Sequence, residues 1–442
     1  MRPHRKGVFF VRAAGRTSAP AASYKKTRPG VVCRASVDHS CPVAPGSSQR
    51  NRKSLSARLV AGLLERAGAP PVRVKLPSGQ TAGCPQQEAI ASIHVRSRRV
   101  LWKLLVNPDL EFGRAYARGE IDVEGSLADL LTAAYARAPR STSWRLRLGQ
   151  ALGLYHRAIG AERARRNARH HYEVGDDFYR SWLDPTLTYS CAYFARREAG
   201  LEEAQRAKLE LVCRKLDLRP GQTVVEAGSG WGSLALYMAQ HYGVRVRAYN
   251  TSGQQVAYAR SLARRLGLDD RVEFIEDDYR SIRGHYDAFV SVGMLEHVGR
   301  RHYRQLGRIV ANCLGRSGRG LIHAIGRAAP RPMNPWVRRY IFPDGHAPAL
   351  SEILDVLEPN GLCVWDVENL RPHYARTLEV WLERFERSAA RFEQQFGQQF
   401  VRTWRLYLAG ALASFRTGWL ELYQVVFLPA GAKLPRQRPA PL

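Results

Sequence analysis

The chain has 442 residues, 68 of them Lys or Arg against 39 Asp or Glu, for a formal net charge of +29. That excess calls for an anionic partner (nucleic acid, anionic lipid or polyphosphate) or reflects a composition that favours Arg. No apolar run reaches the roughly eighteen residues of a membrane-spanning helix. The seven cysteines, an odd number with no C-x-x-C pair, speak against a disulfide framework or a zinc site and for a reducing compartment.

Residues 1–50 are basic, rich in Ser, Ala and Pro, and carry no acid before Asp38. A disordered basic arm is expected, or an early-assigned start, rather than a secretory signal, because "GVFFV" is too short for an h-region. Residues 55–138 read as a small α+β domain. Within it "VRVKLPSGQTAG" turns at Pro77-Ser78-Gly79 like a hairpin, "IASIHVRSRRVLWKLLVNPD" gives a strand and a short helix, and a helix follows from about Ser126. Residues 139–166 form a basic connector in which Trp144, Leu146, Leu148, Leu152, Leu154 and Tyr155 interleave with Arg. It suits either an amphipathic helix on a membrane surface or a linker helix packed on its own domain.

From residue 167 to about 430 helical and strand patterns alternate. A helix carrying Leu201, Ala204, Ala207 and Leu211 on one face precedes strand "TVVEAG", a helix from Ser233, strand "VRVRAY" and a helix from Ser252. Strands "RVEFIE" and "YDAFVSVG", a helix near Tyr303–Leu314, and strands "GLIHAIG", "LCVWDV" and "LYQVVFL" complete the series. This order predicts an α/β fold, a mostly parallel sheet with helices on both faces.

Gly228, Gly230 and Gly232 lie between the first of these strands and its helix, where open parallel sheets bind ligands. The pattern is E-x-G-x-G-x-G, and the second strand runs out as "AYNTSGQQ", without the acid that a dinucleotide ribose expects. S-adenosylmethionine brings a sulfonium, an ammonium and a carboxylate instead. Glu226 suits the ammonium, Trp231 a wall, and Asn250, Gln254 and Gln255 the ribose hydroxyls. Asp278 and Tyr279 follow the third strand, where the adenine edge would lie. Glu296 and His297 follow the fourth strand and His323 the fifth, so ionisable groups converge on one crevice.

Taken together, "HHYEVGDDFYRSWLDPTLTYSCAYF", "EAGSGWGSLA", "SVGMLEHVG", "NPWVRRYIFPDGHAPALSEI", "ENLRPHYARTLEVWLERF" and "ELYQVVF" resemble the cyclopropane-fatty-acyl-phospholipid synthases and their mycolic-acid relatives. A weaker likeness around "NPDLEFGRAYARGEIDVEG" covers the small domain. The resemblance implies a Rossmann-like class I methyltransferase sheet over 167–430 and a lipid-associated small domain over 55–138. It implies methyl transfer from S-adenosylmethionine to the cis double bond of a phospholipid acyl chain, giving a cyclopropane through a carbocation deprotonated by bound bicarbonate. The holders of that anion would be Cys191, Glu296, His323, Tyr374 and the backbone of Ile325. Cofactor contacts would be Tyr189, Ser190, Glu226, Gly228, Ser229, Gly230, Trp231, Gly232, Asn250, Thr251, Ser252, Gln254, Gln255, Asp278 and Tyr279, with no metal. Trp336, Tyr340 and Phe342 would lie near the acyl channel.

The implied partner is unsaturated phospholipid at the inner face of the cytoplasmic membrane, with no nucleic acid and with a homodimer by likeness. Three departures stand out. Glu226 and Ser229 replace the usual Asp and Cys of the glycine loop, Ala411 replaces a late cysteine, and Arg114 replaces an acid. Product type stays open between a cyclopropane and a methyl branch, and charge and fold keep a nucleic-acid methyltransferase as the rival class.

Overall fold

A computed structural model describes residues 54–138 and 174–433. The basic arm 1–50, the connector 139–166 and the motif start at 167–173 lie outside the described residues.

The first part builds a four-stranded sheet of order β2-β1-β3-β4. It runs α1 (Leu55–Arg66), β1 (Val72–Lys75), β2 (Thr81–Gly83), β3 (Ala91–Val95), α2 (Arg98–Val106), α3 (Pro108–Ala117), β4 (Ile121–Gly125) and α4 (Leu127–Arg137). The expected hairpin is the antiparallel pair β1–β2, with Gly79 at φ +78° in its turn. Each helix starts on a polar cap: Ser54, Ser97, Asn107 and Ser126 accept from backbone N–H groups of the first turn.

The second part opens with α5 (Asp176–Arg180) and α6 (Leu201–Leu216) and then enters the large sheet. In chain order follow β5 (Thr223–Ala227), α7 (Ser233–Tyr242), β6 (Arg245–Asn250), α8 (Gly253–Leu266), β7 (Val272–Glu276), β8 (Tyr286–Val292), α9 (Tyr303–Cys313) and β9 (Leu314–Gly326). Then come α10 (Pro335–Tyr340), α11 (Leu350–Leu357), β10 (Leu362–Asn369), α12 (Arg371–Phe396), α13 (Gln398–Thr417) and β11 (Glu421–Pro429). The strand order is β10-β11-β9-β8-β5-β6-β7, with β11 antiparallel to both its neighbours and the rest parallel. Strands such as β5 are apolar on both faces because helices cover both, as the sequence led us to expect. Chain order reverses between β5 and β8, which places the ligand crevice at their carboxyl ends.

The long pair α12 and α13 was not read from the sequence pattern. Tyr374, Leu378, Trp381, Phe385 and Phe392 form the buried stripe of α12. Gly397, at φ +84°, ends α12 and starts α13. Arg402 of α13 donates to the carbonyls of Tyr116 and Ile121, and Arg416 pairs with Asp129, so α13 fastens the small sheet's elements to the rest. Trp336 and Tyr340 of α10 also face this side. A Cβ on Gly113 of α3 would sit 2.4 Å from the Trp336 ring, and Arg114 donates to the Tyr340 hydroxyl at 3.0 Å. Arg114, the departure noted above, thus bridges Glu111 and Tyr340.

Candidate active site

The glycine loop is shaped by its neighbours. Gly228 and Gly232 both hold φ +90°, and a Cβ on them would come within 2.8 Å of Met294 and 2.7 Å of Phe274. Gly230, at φ +54°, meets nothing within 4 Å and leaves the loop's face open. The Asn250 amide donates to the Gly230 carbonyl at 3.0 Å and to Gln255 at 2.9 Å, while its oxygen accepts from Ser252 N–H. Asn250 therefore sets the loop, and Gln255 keeps a buried Nε2 with no protein partner.

A cavity of about 190 Å³ opens over this loop. Of the expected cofactor residues, Tyr189, Ser190, Glu226, Gly228, Ser229, Gly230, Trp231, Asn250, Thr251, Gln255, Asp278 and Tyr279 line it. Gly232, Ser252 and Gln254 do not. Gly232 and Ser252 cap α7 and α8, and Gln254 reaches Asp176 instead. Asp176 also accepts from the Trp231 indole at 2.9 Å, tying α5 to the loop.

Four buried polar atoms of the lining have no protein partner: Glu226 Oε2, Ser229 Oγ, Gln255 Nε2 and the Tyr279 hydroxyl. Buried polar groups are rarely left so, and their grouping around one cavity marks a ligand's contacts. Burial pushes Glu226 up to about 8, with Lys208 and the Ala235 amide pulling it back. Asp278 is committed: both its oxygens accept from Arg280 at 2.9 Å. The cavity also takes in Phe342, Met294 and His297. Burial holds His297 down at about 4, so its ring is neutral.

Cys191 lies behind this lining. Two helices grip its segment: Gln205 of α6 donates to the Thr188 and Ser190 carbonyls, and the Thr377 hydroxyl of α12 accepts from Ala192 N–H. The Cys191 thiol is fully buried and donates to the Ala192 carbonyl at 3.1 Å. Burial pushes it far above the ordinary thiol range, so it stays protonated and is no nucleophile. Tyr374, one turn before Thr377, shares the apolar cluster of Cys191, and the Ile325 side chain packs against that cluster.

Glu296 is held by strand β9. The β8–β9 ladder ends where Gly293 N–H meets the His323 carbonyl. Beyond that point the Glu296 carboxylate stands where the next strand carbonyl would be, accepting from Ile325 N–H at 2.6 Å. The Ile325 backbone thus presents its N–H to Glu296. Burial raises Glu296 to about 7, with the Ile325 amide opposing, and its Oε2 has no protein partner. His323, two residues before Ile325 on β9, holds Nδ1 against the Gln424 amide at 3.0 Å. Burial keeps the ring neutral, down at about 3, so an accepting Nδ1 leaves the proton on Nε2, a buried donor without a protein partner.

An aromatic wall backs the cavity. Tyr189 and Trp231 line the cavity, and Tyr179, Trp182, Trp381 and Trp404 continue behind them with ring centroids 5.1–6.1 Å apart. Lys208 is the residue that sequence reasoning missed. It lies fully within the protein, lines the cavity and donates to Ser190 Oγ at 3.1 Å.

Residues 160–425 match the family described as mycolic acid cyclopropane synthetase, and residues 59–143 match a domain of unknown function. A probable fatty acid methyltransferase of Pseudomonas putida is 32% identical over 372 residues, 80% of this chain and 91% of that protein. The cyclopropane-fatty-acyl-phospholipid synthase of Escherichia coli K12 is 38% identical over 260 residues, 59% of this chain and 66% of that protein. A crystal structure of mycolic acid cyclopropane synthase CmaA1 complexed with SAH and CTAB superposes with a TM-score of 0.57 at 29% identity, over 60% of this chain and 98% of that one.

Proposed function

The chain belongs to the mycolic acid cyclopropane synthetase family and is an S-adenosylmethionine-dependent methyltransferase of the cyclopropane synthase type; on that premise we propose that it converts the cis double bond of an unsaturated phospholipid acyl chain to a cyclopropane. One observation carries this reading: among the described residues, buried polar atoms without a protein partner fall into two groups, one at the glycine loop and one at Glu296 and His323.

The first group fits S-adenosylmethionine, which when bound supplies an electrophilic methyl group. Gly228 and Gly230 let the cofactor approach the backbone, Glu226 suits its ammonium, and Gln255 and Tyr279 offer polar contacts to the nucleoside. Methylation of an alkene uses the π pair for the new carbon–carbon bond and leaves positive charge on the acyl chain. Tyr189, Trp182 and Trp381 suit that charge, since aromatic faces attract cations without attacking them.

The second group fits a bicarbonate ion, which when bound would supply the base for the methyl proton whose loss closes the ring. His323 Nε2–H donates to an anion. Glu296, poised near neutrality, donates once protonated beside one. Cys191 and Tyr374, which share one buried apolar cluster, are the proposed further walls of the ion's site.

Membrane access finds support in the small sheet's helix α2. Trp102 and Val106 are 57% and 87% exposed there, beside exposed Arg98, Arg99 and Lys103. No helix among the described residues is long and apolar enough to cross a membrane. We read residues 55–138 as lipid-associated, the protein as peripheral at the inner face of the cytoplasmic membrane, and its assembly as a homodimer by family likeness.

A methyl-branched product is the second reading, in line with relatives over 80% and 84% of the chain that are named probable fatty acid methyltransferases rather than cyclopropane synthases. Incubation with unsaturated phosphatidylglycerol vesicles and S-adenosylmethionine, followed by mass spectrometry, separates the two. A chain one methylene heavier that resists hydrogenation supports the cyclopropane. One of the same mass that takes up hydrogen supports the branch. Unchanged acyl chains would count against both.

A further inference from the structure

Lys208 is exceptional in its setting. Along α6 the buried stripe runs Leu201, Ala204, Lys208, Leu211, Lys215, so two lysines occupy positions reserved for apolar side chains. Lys215 reaches carboxylates of β10, Asp366 and Glu368. Among the described residues Lys208 makes no ion pair; its ammonium donates to Ser190 Oγ at 3.1 Å. Its relative exposure is 1%, and a buried ammonium with no paired charge is costly.

The side chain is not sealed in. Lys208, Ser190 and Glu226 line the same cavity, and Glu226 Oε2 is buried without a protein partner. One cavity thus holds a buried cation and a buried carboxylate that do not pair with each other. Such an arrangement fits a ligand that carries both charges. The amino-acid end of the cofactor is a zwitterion, with an ammonium and a carboxylate on one carbon.

We propose that Lys208 is the cation that reads the cofactor's carboxylate, acting with the Ser190 hydroxyl it holds, while Glu226 receives the ammonium. The proposal rests on the S-adenosylmethionine reading of the cavity. Burial lowers Lys208 to about 8, with Asp184, Cys191, Glu226 and Cys213 opposing, so much of it is charged at neutral pH. Ser190 is fixed from two sides, its hydroxyl by Lys208 and its carbonyl by Gln205. The charge of Lys208 also acts on Cys191 and His323.

The test is calorimetric binding of S-adenosylhomocysteine and of its decarboxylated analogue to the full-length protein. Lys208→Met keeps length and removes charge. It should weaken S-adenosylhomocysteine binding about 10- to 100-fold, the range of a charge-assisted hydrogen bond, and change binding of the decarboxylated analogue less than about threefold. Ser190→Ala should shift the same preference in the same direction by a smaller factor, and decides the matter if the Met variant does not fold. Equal losses for both compounds, or an unchanged preference in the variants, would overturn the role of Lys208 while leaving the cavity's assignment standing. Failure of the unaltered protein to bind S-adenosylhomocysteine would overturn the cavity's assignment itself.

Discussion

The cofactor end and the reaction end of the site are built in different ways. The glycine loop, Asn250 and Asp278 follow consecutive strands and are shaped by local turns, caps and close backbone approaches. The reaction end draws Cys191, Glu296, His323 and Tyr374 from four separate segments, and each is placed by a contact distant in sequence. Thr377 holds the segment of Cys191, Ile325 N–H holds Glu296, and Gln424 holds His323. In the proposed anion pocket, long-range assembly makes Glu296, His323 and the segment of Cys191 each depend on a partner elsewhere.

The sharpest way to separate the two ends is Glu296→Gln. It keeps size and removes the ionisable group, so turnover should fall about 100-fold or more, while the KM for S-adenosylmethionine stays within about threefold. Parallel losses in steady-state kinetics would merge the two ends. Gly228→Ala attacks the opposite end. With φ +90° and Met294 at 2.8 Å from the new Cβ, strain of about 1–3 kcal/mol should appear as weaker S-adenosylhomocysteine binding and a lower melting temperature.

A pH series of chemical denaturation sharpens the contrast further. Glu226 rises from 4.5 to about 8 on folding and Glu296 from 4.5 to about 7. Between those values the folded protein holds protons the unfolded chain has lost, so stability falls as pH rises. His297 and His323, lowered on folding, oppose this below about pH 6.5, where the unfolded chain binds the extra protons. From about pH 6.5 to 7 the carboxyl groups dominate, each with a slope of at most about 1.4 kcal/mol per pH unit; nearer pH 8 Lys208, lowered on folding to about 8, begins to oppose them. Saturation with S-adenosylhomocysteine should flatten the part due to Glu226. A ligand-independent slope would remove Glu226 from the cofactor's contacts. The smallest effect is expected from Ala411→Cys. Gly410 beside it faces Leu131 and Tyr135 of α4, and Ala411 packs in the apolar cluster, so turnover should stay within about twofold. A large gain would make a cysteine there part of the chemistry.

The contrast also explains what could be read from the sequence. Apolar runs such as "TVVEA" and "DAFVSV", with turn signals between them, gave the parallel sheet, and the glycines gave the loop. Helices α12 and α13 did not stand out because their apolar stripes run among many Arg, Glu and Gln residues. Lys208 was legible in principle, since it falls on the stripe of Leu201, Ala204 and Leu211. A lysine on a helix is ordinarily solvated, and only the packing of Ser190 and Glu226 against it reveals otherwise. Trp336 and Tyr340, expected near the acyl channel, pack toward α3, a pairing across more than two hundred residues with no local signature.

The most direct measurement is turnover on unsaturated phospholipid vesicles in buffer stripped of carbon dioxide, alongside S-adenosylhomocysteine affinity under the same conditions. Product formation is expected to collapse on depletion and to return with added bicarbonate, while the affinity stays unchanged. Turnover indifferent to bicarbonate, or an affinity that moves with it, would contradict the division of the site into a cofactor pocket and a separate anion pocket.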